Sequence, residues 1–180
     1  LLHGQWGTNS RSERTMRFQP YLILLLCAGV LVAQEPPAGE AALGAYSYDQ
    51  FEKPEVCGSC HVDIYMQWTQ SMMSQAYTHH WDEIEYFNLA VPHGEVDPAY
   101  KPVADGCNGC HAPLAFLSGD VPPPRPAENS RANESVSCDL CHTIEASHGE
   151  EPFNFSYISR PGRTKWGSKP GVESPHHITA

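Results

Sequence analysis

The chain is poor in positive charge: 11 Lys+Arg stand against 21 Asp+Glu over 180 residues, for a net charge of −10, and the basic residues form no cluster. Phosphate binding needs a concentrated basic face, so nucleic acid is excluded as a partner. No stretch alternates apolar and polar residues over the length of a strand, which argues against a sheet-built core. The main apolar run, Tyr21 to Val32, falls short of the roughly 20 residues a comfortable transmembrane helix needs. Asp, Glu and Ser residues occur, but none sits in a recognisable nucleophile or acid/base pattern. Charged residues make up only 18%, and 14 Gly and 16 Pro point to a loop-rich globular chain rather than a disordered one.

Cysteine is present in an odd number, seven, which fits no closed disulfide framework. Arg11, Arg14 and Arg17 precede the apolar run, and the small residue Ala33 ends it before the polar Gln34-Glu35-Pro36-Pro37. This arrangement predicts a secretory signal starting at Met16 and cut after Ala33, with residues 1–15 an extension of the reading frame. Cleavage would discard Cys27 with the signal. The rival reading makes Cys27 a lipid-modified N-terminus, the one case besides an uncleaved signal that would attach the chain to a membrane. Either way six cysteines remain for the exported part, and with 8 basic and 20 acidic residues its net charge is near −12.

All six fall into one repeated string. Cys57-Gly58-Ser59-Cys60-His61, Cys107-Asn108-Gly109-Cys110-His111 and Cys138-Asp139-Leu140-Cys141-His142 each read C-x-x-C-H. This is the attachment signature of a c-type haem: two thiols one helical turn apart add to the porphyrin vinyl groups, and the adjacent histidine reaches the iron. Zinc knuckles or thiol-redox pairs would not require the trailing histidine in three motifs out of three. The expectation is therefore three covalently attached haem c groups, with His61, His111 and His142 as proximal iron ligands. Export agrees with it, because free dithiols outside the cytoplasm tend to oxidise.

Three haems on about 147 exported residues leave little protein to separate them. Apolar porphyrin faces would then replace much of a side-chain core, and the expected fold is mainly α with extensive irregular loops, a haem-packed core and little or no β-sheet. Residues 1–33 are read as leader, 34–55 as an Ala-, Gly-, Pro- and Glu-rich linker, and 56–180 as the haem domain. Ile64, Tyr65, Trp68, Met72 and Ala76 recur at helical spacing and predict a helix over 62–77. A shorter one is predicted over 81–90, ended by Pro92. The proline-rich stretch 120–134 reads as a surface loop. Distal ligands have many candidates: His79, His80, His93, His148, His176, His177, Met66, Met72 and Met73.

The segment Cys57-Gly-Ser-Cys-His61-Val-Asp-Ile-Tyr65-Met-Gln-Trp68-Thr-Gln-Ser71-Met-Met73 resembles the cytochrome c-552/c-554 family of multihaem cytochromes. The likeness continues through Cys110-His111-Ala112-Pro113-Leu114, Val136 to Thr143, and Ser174-Pro175-His176-His177. It implies an exported electron carrier or multihaem oxidoreductase, mainly helical, with haems packed in close pairs. Many relatives carry a histidine where this chain has Met73, which is either an axial ligand or a packing residue. His177 matches a distal-ligand position in relatives. The phrase around it commonly precedes a further haem motif, so the expectation is the front part of a longer cytochrome. An exported three-haem carrier serving other redox proteins, donor and acceptor, is the leading functional reading. The runner-up is a haem-dependent oxidoreductase acting on a small nitrogen or sulfur compound at a five-coordinate haem.

Overall fold

The computed structural model describes residues 38–148, 155–167 and 178–179. The expected signal segment and Cys27 lie outside them. About half of the described residues are helical, in short pieces: α1 Pro54–Gly58, α2 Val62–Thr69, α3 Met72–Gln75, α4 His80–Glu85, α5 Val91–Val96, α6 Lys101–His111, α7 Pro113–Ser118 and α8 Cys138–His142. A three-stranded antiparallel sheet runs in the order β1 (Gly39–Glu40), β3 (Tyr157–Ser159), β2 (Ile144–Ser147). The two-residue strands β4 (Thr164–Lys165) and β5 (Ile178–Thr179) pair in parallel. The expected mainly α, loop-rich architecture with little sheet is what the chain adopts.

Proline sets where several helices begin. Pro54, Pro102 and Pro113 each stand in the first turn of α1, α6 and α7, where an amide N–H would have no intrahelical acceptor, and Pro92 stands at the start of α5 directly after a π-helical turn. Pro92 therefore does not end a helix, contrary to the sequence expectation. The helical path continues through it because the π-helical turn Tyr86–Ala90 lies between α4 and α5 and changes the hydrogen-bond register just ahead of the proline.

The single helix expected over 62–77 is broken in two. Ser71 leaves helical geometry at φ −87°, ψ 160°; its Oγ accepts from Ser74 N at 3.4 Å and donates to Trp68 O at 2.7 Å. A serine cap has overridden the apolar period. Both halves dock on the stretch before the third motif: Trp68 Nε1 donates to Val136 O at 2.9 Å, and Val136 N to Met73 O at 3.0 Å.

The side-chain core is small and centres on α7, where Pro113, Leu114, Ala115, Phe116 and Leu117 are all buried. One cluster joins Leu114, Phe116 and Leu117 to Ala41, Tyr46, Phe51 and Leu140. A second joins Ala112 and Ala115 to Tyr77, Tyr86, Phe87 and Ala132. Gly119 ends α7 in the left-handed region at φ 73°, which a glycine adopts without steric cost.

Much of the stretch read as a linker is packed into this core. Tyr46 N donates to Leu117 O at 2.9 Å, and the Tyr46 hydroxyl to Ser159 O at 2.7 Å. Arg131 closes the same region: its guanidinium holds Glu134 bidentately at 2.6 and 2.9 Å and donates to the carbonyls of Tyr48 and, at 3.2 Å, Phe51. The 120–134 stretch is irregular as expected, with short 3-10 turns at Pro126–Glu128 and Arg131–Glu134. It is not wholly superficial, however: Ala132 is buried, and the Tyr77 hydroxyl donates to Pro124 O at 2.9 Å.

Two stability predictions follow from this packing. Leu117, fully buried, should cost about 2–5 kcal/mol when changed to Ala, read by chemical denaturation. A Cβ at Gly109 would lie 2.0 Å from the Phe155 ring, which stacks on Phe116 at 4.6 Å, so Gly109→Ala should cost about 1–3 kcal/mol in the same assay.

Candidate haem-attachment sites

Each C-x-x-C-H motif occupies a helical turn. In the first, α1 ends at Gly58, the turn continues so that His61 N donates to Cys57 O at 2.9 Å, and α2 starts directly after His61. The second is the last turn of α6, and the third is the whole of α8. Residues i, i+3 and i+4 of a helix share a face, so each turn presents two thiols and an imidazole together. The arrangement repeats: Cys57, Cys107 and Cys138 are half-buried, Cys60, Cys110 and Cys141 are exposed, and all six are free thiols.

The residue after the first cysteine turns the other way, and sequence reasoning missed its role. Gly58 lets the Tyr65 ring lie against the backbone, where a Cβ would meet it at 2.6 Å. Asn108 is buried and donates through Nδ2 to the Tyr86 hydroxyl at 2.7 Å. Asp139 is buried, accepting from Glu52 N at 2.8 Å and from Lys165 Nζ at 2.5 Å. The i+1 spacing was the available signal: it lies about 100° around the helix from the first cysteine, toward the protein.

Two of the three histidines are oriented by backbone carbonyls. His111 Nδ1 lies 3.0 Å from Ala76 O, and His142 Nδ1 lies 2.8 Å from Trp166 O. A carbonyl only accepts, so Nδ1 carries the proton in each, and the neutral ring keeps its lone pair on Nε2, the nitrogen that binds a metal when the other ring nitrogen is held this way. Trp166 also donates its N–H to His142 O at 2.9 Å, gripping that histidine twice.

The first and third motifs touch. The interaction of the neighbouring Cys57 and Cys138 thiols lowers the Cys57 pKa to about 7 and, together with burial, pushes Cys138 up. The second motif borders open space instead. A cavity of about 330 Å³ is lined by Cys107, His111, Asn108, Tyr86, Tyr100 and His93 among others. One of about 460 Å³ is lined by Cys107, Cys110, His111, Gly106, Val103 and Phe155. Burial raises the Tyr86 pKa to about 12, so its hydroxyl stays neutral there.

These features fit haem c. The donor set supplies paired thiols and an Nε2 ligand at matching spacing, and the space beside the second motif is walled by aromatic and apolar groups. The apolar side chains of α2 and α3 agree: Val62, Ile64, Met66, Met72 and Met73 are more than half exposed directly after the first motif.

The spare ligand candidates are scattered. The His79 and His80 rings lie 4.7 Å apart and tilted by 38°, His93 stacks on Tyr100 at 4.1 Å, and His148 N donates to Ser156 O beside the sheet. Met73 lies on α3, next to the third motif through its carbonyl bond to Val136. His177 lies outside the described residues. Among the described residues no cluster of three or more His, Cys, Asp or Glu could hold a bare metal ion, and no helix is long and apolar enough to cross a membrane.

No curated protein and no solved structure matches the chain significantly. The family model of cytochrome c554 and c-prime matches residues 56–143, a span that contains all three C-x-x-C-H motifs. The match spans just under half of the chain and, with thiol pairs and histidines at the spacing of covalent haem attachment, supports a c-type cytochrome electron carrier with covalently bound haem c.

Proposed function

We propose that the chain is an exported carrier holding three haems, one on Cys57, Cys60 and His61, one on Cys107, Cys110 and His111, and one on Cys138, Cys141 and His142. The observation that carries this reading is the threefold repetition of one arrangement, a half-buried thiol, an exposed thiol one turn on, and a histidine beside it. When bound, each haem would supply a one-electron iron couple.

The protein's part is to fix ligands and distances. Ala76 O and Trp166 O orient His111 and His142, so neither imidazole would have to reorganise when a bound haem iron changed charge. The Cys57–Cys138 contact brings the first and third attachment points together, a proximity that passage of electrons between cofactors requires. Met73 and His177 would be the candidates for distal ligands, with Met73 otherwise a packing residue of α3.

The apolar run before Ala33 supports export to the periplasm or secretion, and the acidic balance supports partners that dock through basic patches. Electron donor and acceptor are then other redox proteins.

Alkaline pyridine spectra with intact mass should give three covalent haems per chain, and two after the double change Cys107→Ser and Cys110→Ser; fewer than three in the unaltered protein would overturn the proposal. Electron transfer to a basic partner should slow as ionic strength rises, measured by stopped-flow absorbance, and no salt dependence would argue against steering.

A further inference from the structure

We propose that the ion pair between buried Asp139 and partly buried Lys165 sets the reduction potential of the haem on the third motif and of its neighbour on the first. This rests on the three-haem reading above.

Asp139 lies inside the third motif, between Cys138 and Leu140, with 1% of its surface exposed. Its two carboxylate oxygens have different partners: Oδ2 accepts from the backbone of Glu52, five residues before Cys57, and Oδ1 accepts from Lys165 Nζ. The Lys165 side chain is 14% exposed and also donates to Gly162 O at 2.7 Å. That turn is possible because Gly162 sits at φ 144°, a conformation side chains rarely allow. The next residue, Trp166, holds His142 through both its N–H and its carbonyl. The stretch 162–166 therefore grips the third motif at two points, a charge near its start and the iron-binding histidine at its end.

Both charges reach beyond the third motif. The Cys57 thiol feels Asp139 and Lys165 electrostatically, and Cys138 feels Asp139. Buried charges are weakly screened, so their fields persist at the attachment points where exposed groups would contribute little. One-electron reduction, with the electron supplied by a redox partner protein, lowers the charge of an iron site by one and forms or breaks no bond. A nearby carboxylate opposes that change and a nearby ammonium favours it. In the pair the two effects oppose each other, and each residue alone would bias the potential in its own direction.

The test is a set of holoprotein variants examined by spectroelectrochemical titration after haem counting. K165Q should shift midpoint potentials negative, D139N should shift them positive, the double variant should return toward the unaltered values, and K165R should leave them in place. A pair that only holds the fold together would not give opposite signs or this restoration. K165Q with full haem content and unshifted or positively shifted potentials would overturn the proposal. If D139N matures poorly, the contrast between K165Q and K165R decides alone. A haem count below three in the unaltered protein would overturn the functional reading instead and is read before any potential, so the two failures are distinguishable.

Discussion

The packing of the third attachment turn against the first is the constraint around which this structure is arranged. It joins two attachment turns that are about 80 residues apart in the chain. Several other interactions serve to hold it. The Asp139 carboxylate ties the backbone ahead of the first motif to the third, and Trp68 and Met73 dock α2 and α3 on the stretch before Cys138. The arm around Tyr46 and Phe51 packs on Leu140, within the third motif. On the proposed reading, all of these contacts fix the relative placement of two cofactors.

The second motif is held differently. Its histidine is followed at once by α7, the most buried helix among the described residues, so His111 is continuous with the centre of the side-chain core. Its ring is anchored to Ala76, just past α3, and α3 in turn adjoins the third motif. A short segment, 72–77, thereby links the orientation of one proximal histidine to the position of another. With so few large apolar side chains buried, this economy suits a protein whose remaining core would be porphyrin.

Much of this was legible in the sequence because the haem motif imposes its own geometry: Cys, Cys and His at i, i+3 and i+4 require a helical turn wherever they stand. The mainly helical, sheet-poor character followed from missing strand alternation. Boundaries were less legible where side-chain chemistry competed with periodicity. Ser71 capped a new helix inside an apolar pattern, and a π-helical turn let Pro92 sit within a helical path rather than end it. The packing of the arm before residue 55 was hidden because Tyr46 and Phe51 bury against residues 60 or more positions away, a pairing that composition does not reveal. The inward roles of Gly58, Asn108 and Asp139 were hidden for the same reason, since each depends on a partner distant in sequence or around the helix.

The central claim, that the first and third attachment turns hold two haems against each other, is tested most directly by electron paramagnetic resonance of the fully oxidised protein. Neighbouring paramagnetic irons couple, so the account predicts that the integrated signal of isolated low-spin haem falls clearly below the three spins per chain that separated haems would give. Three full, uncoupled low-spin signals would contradict it.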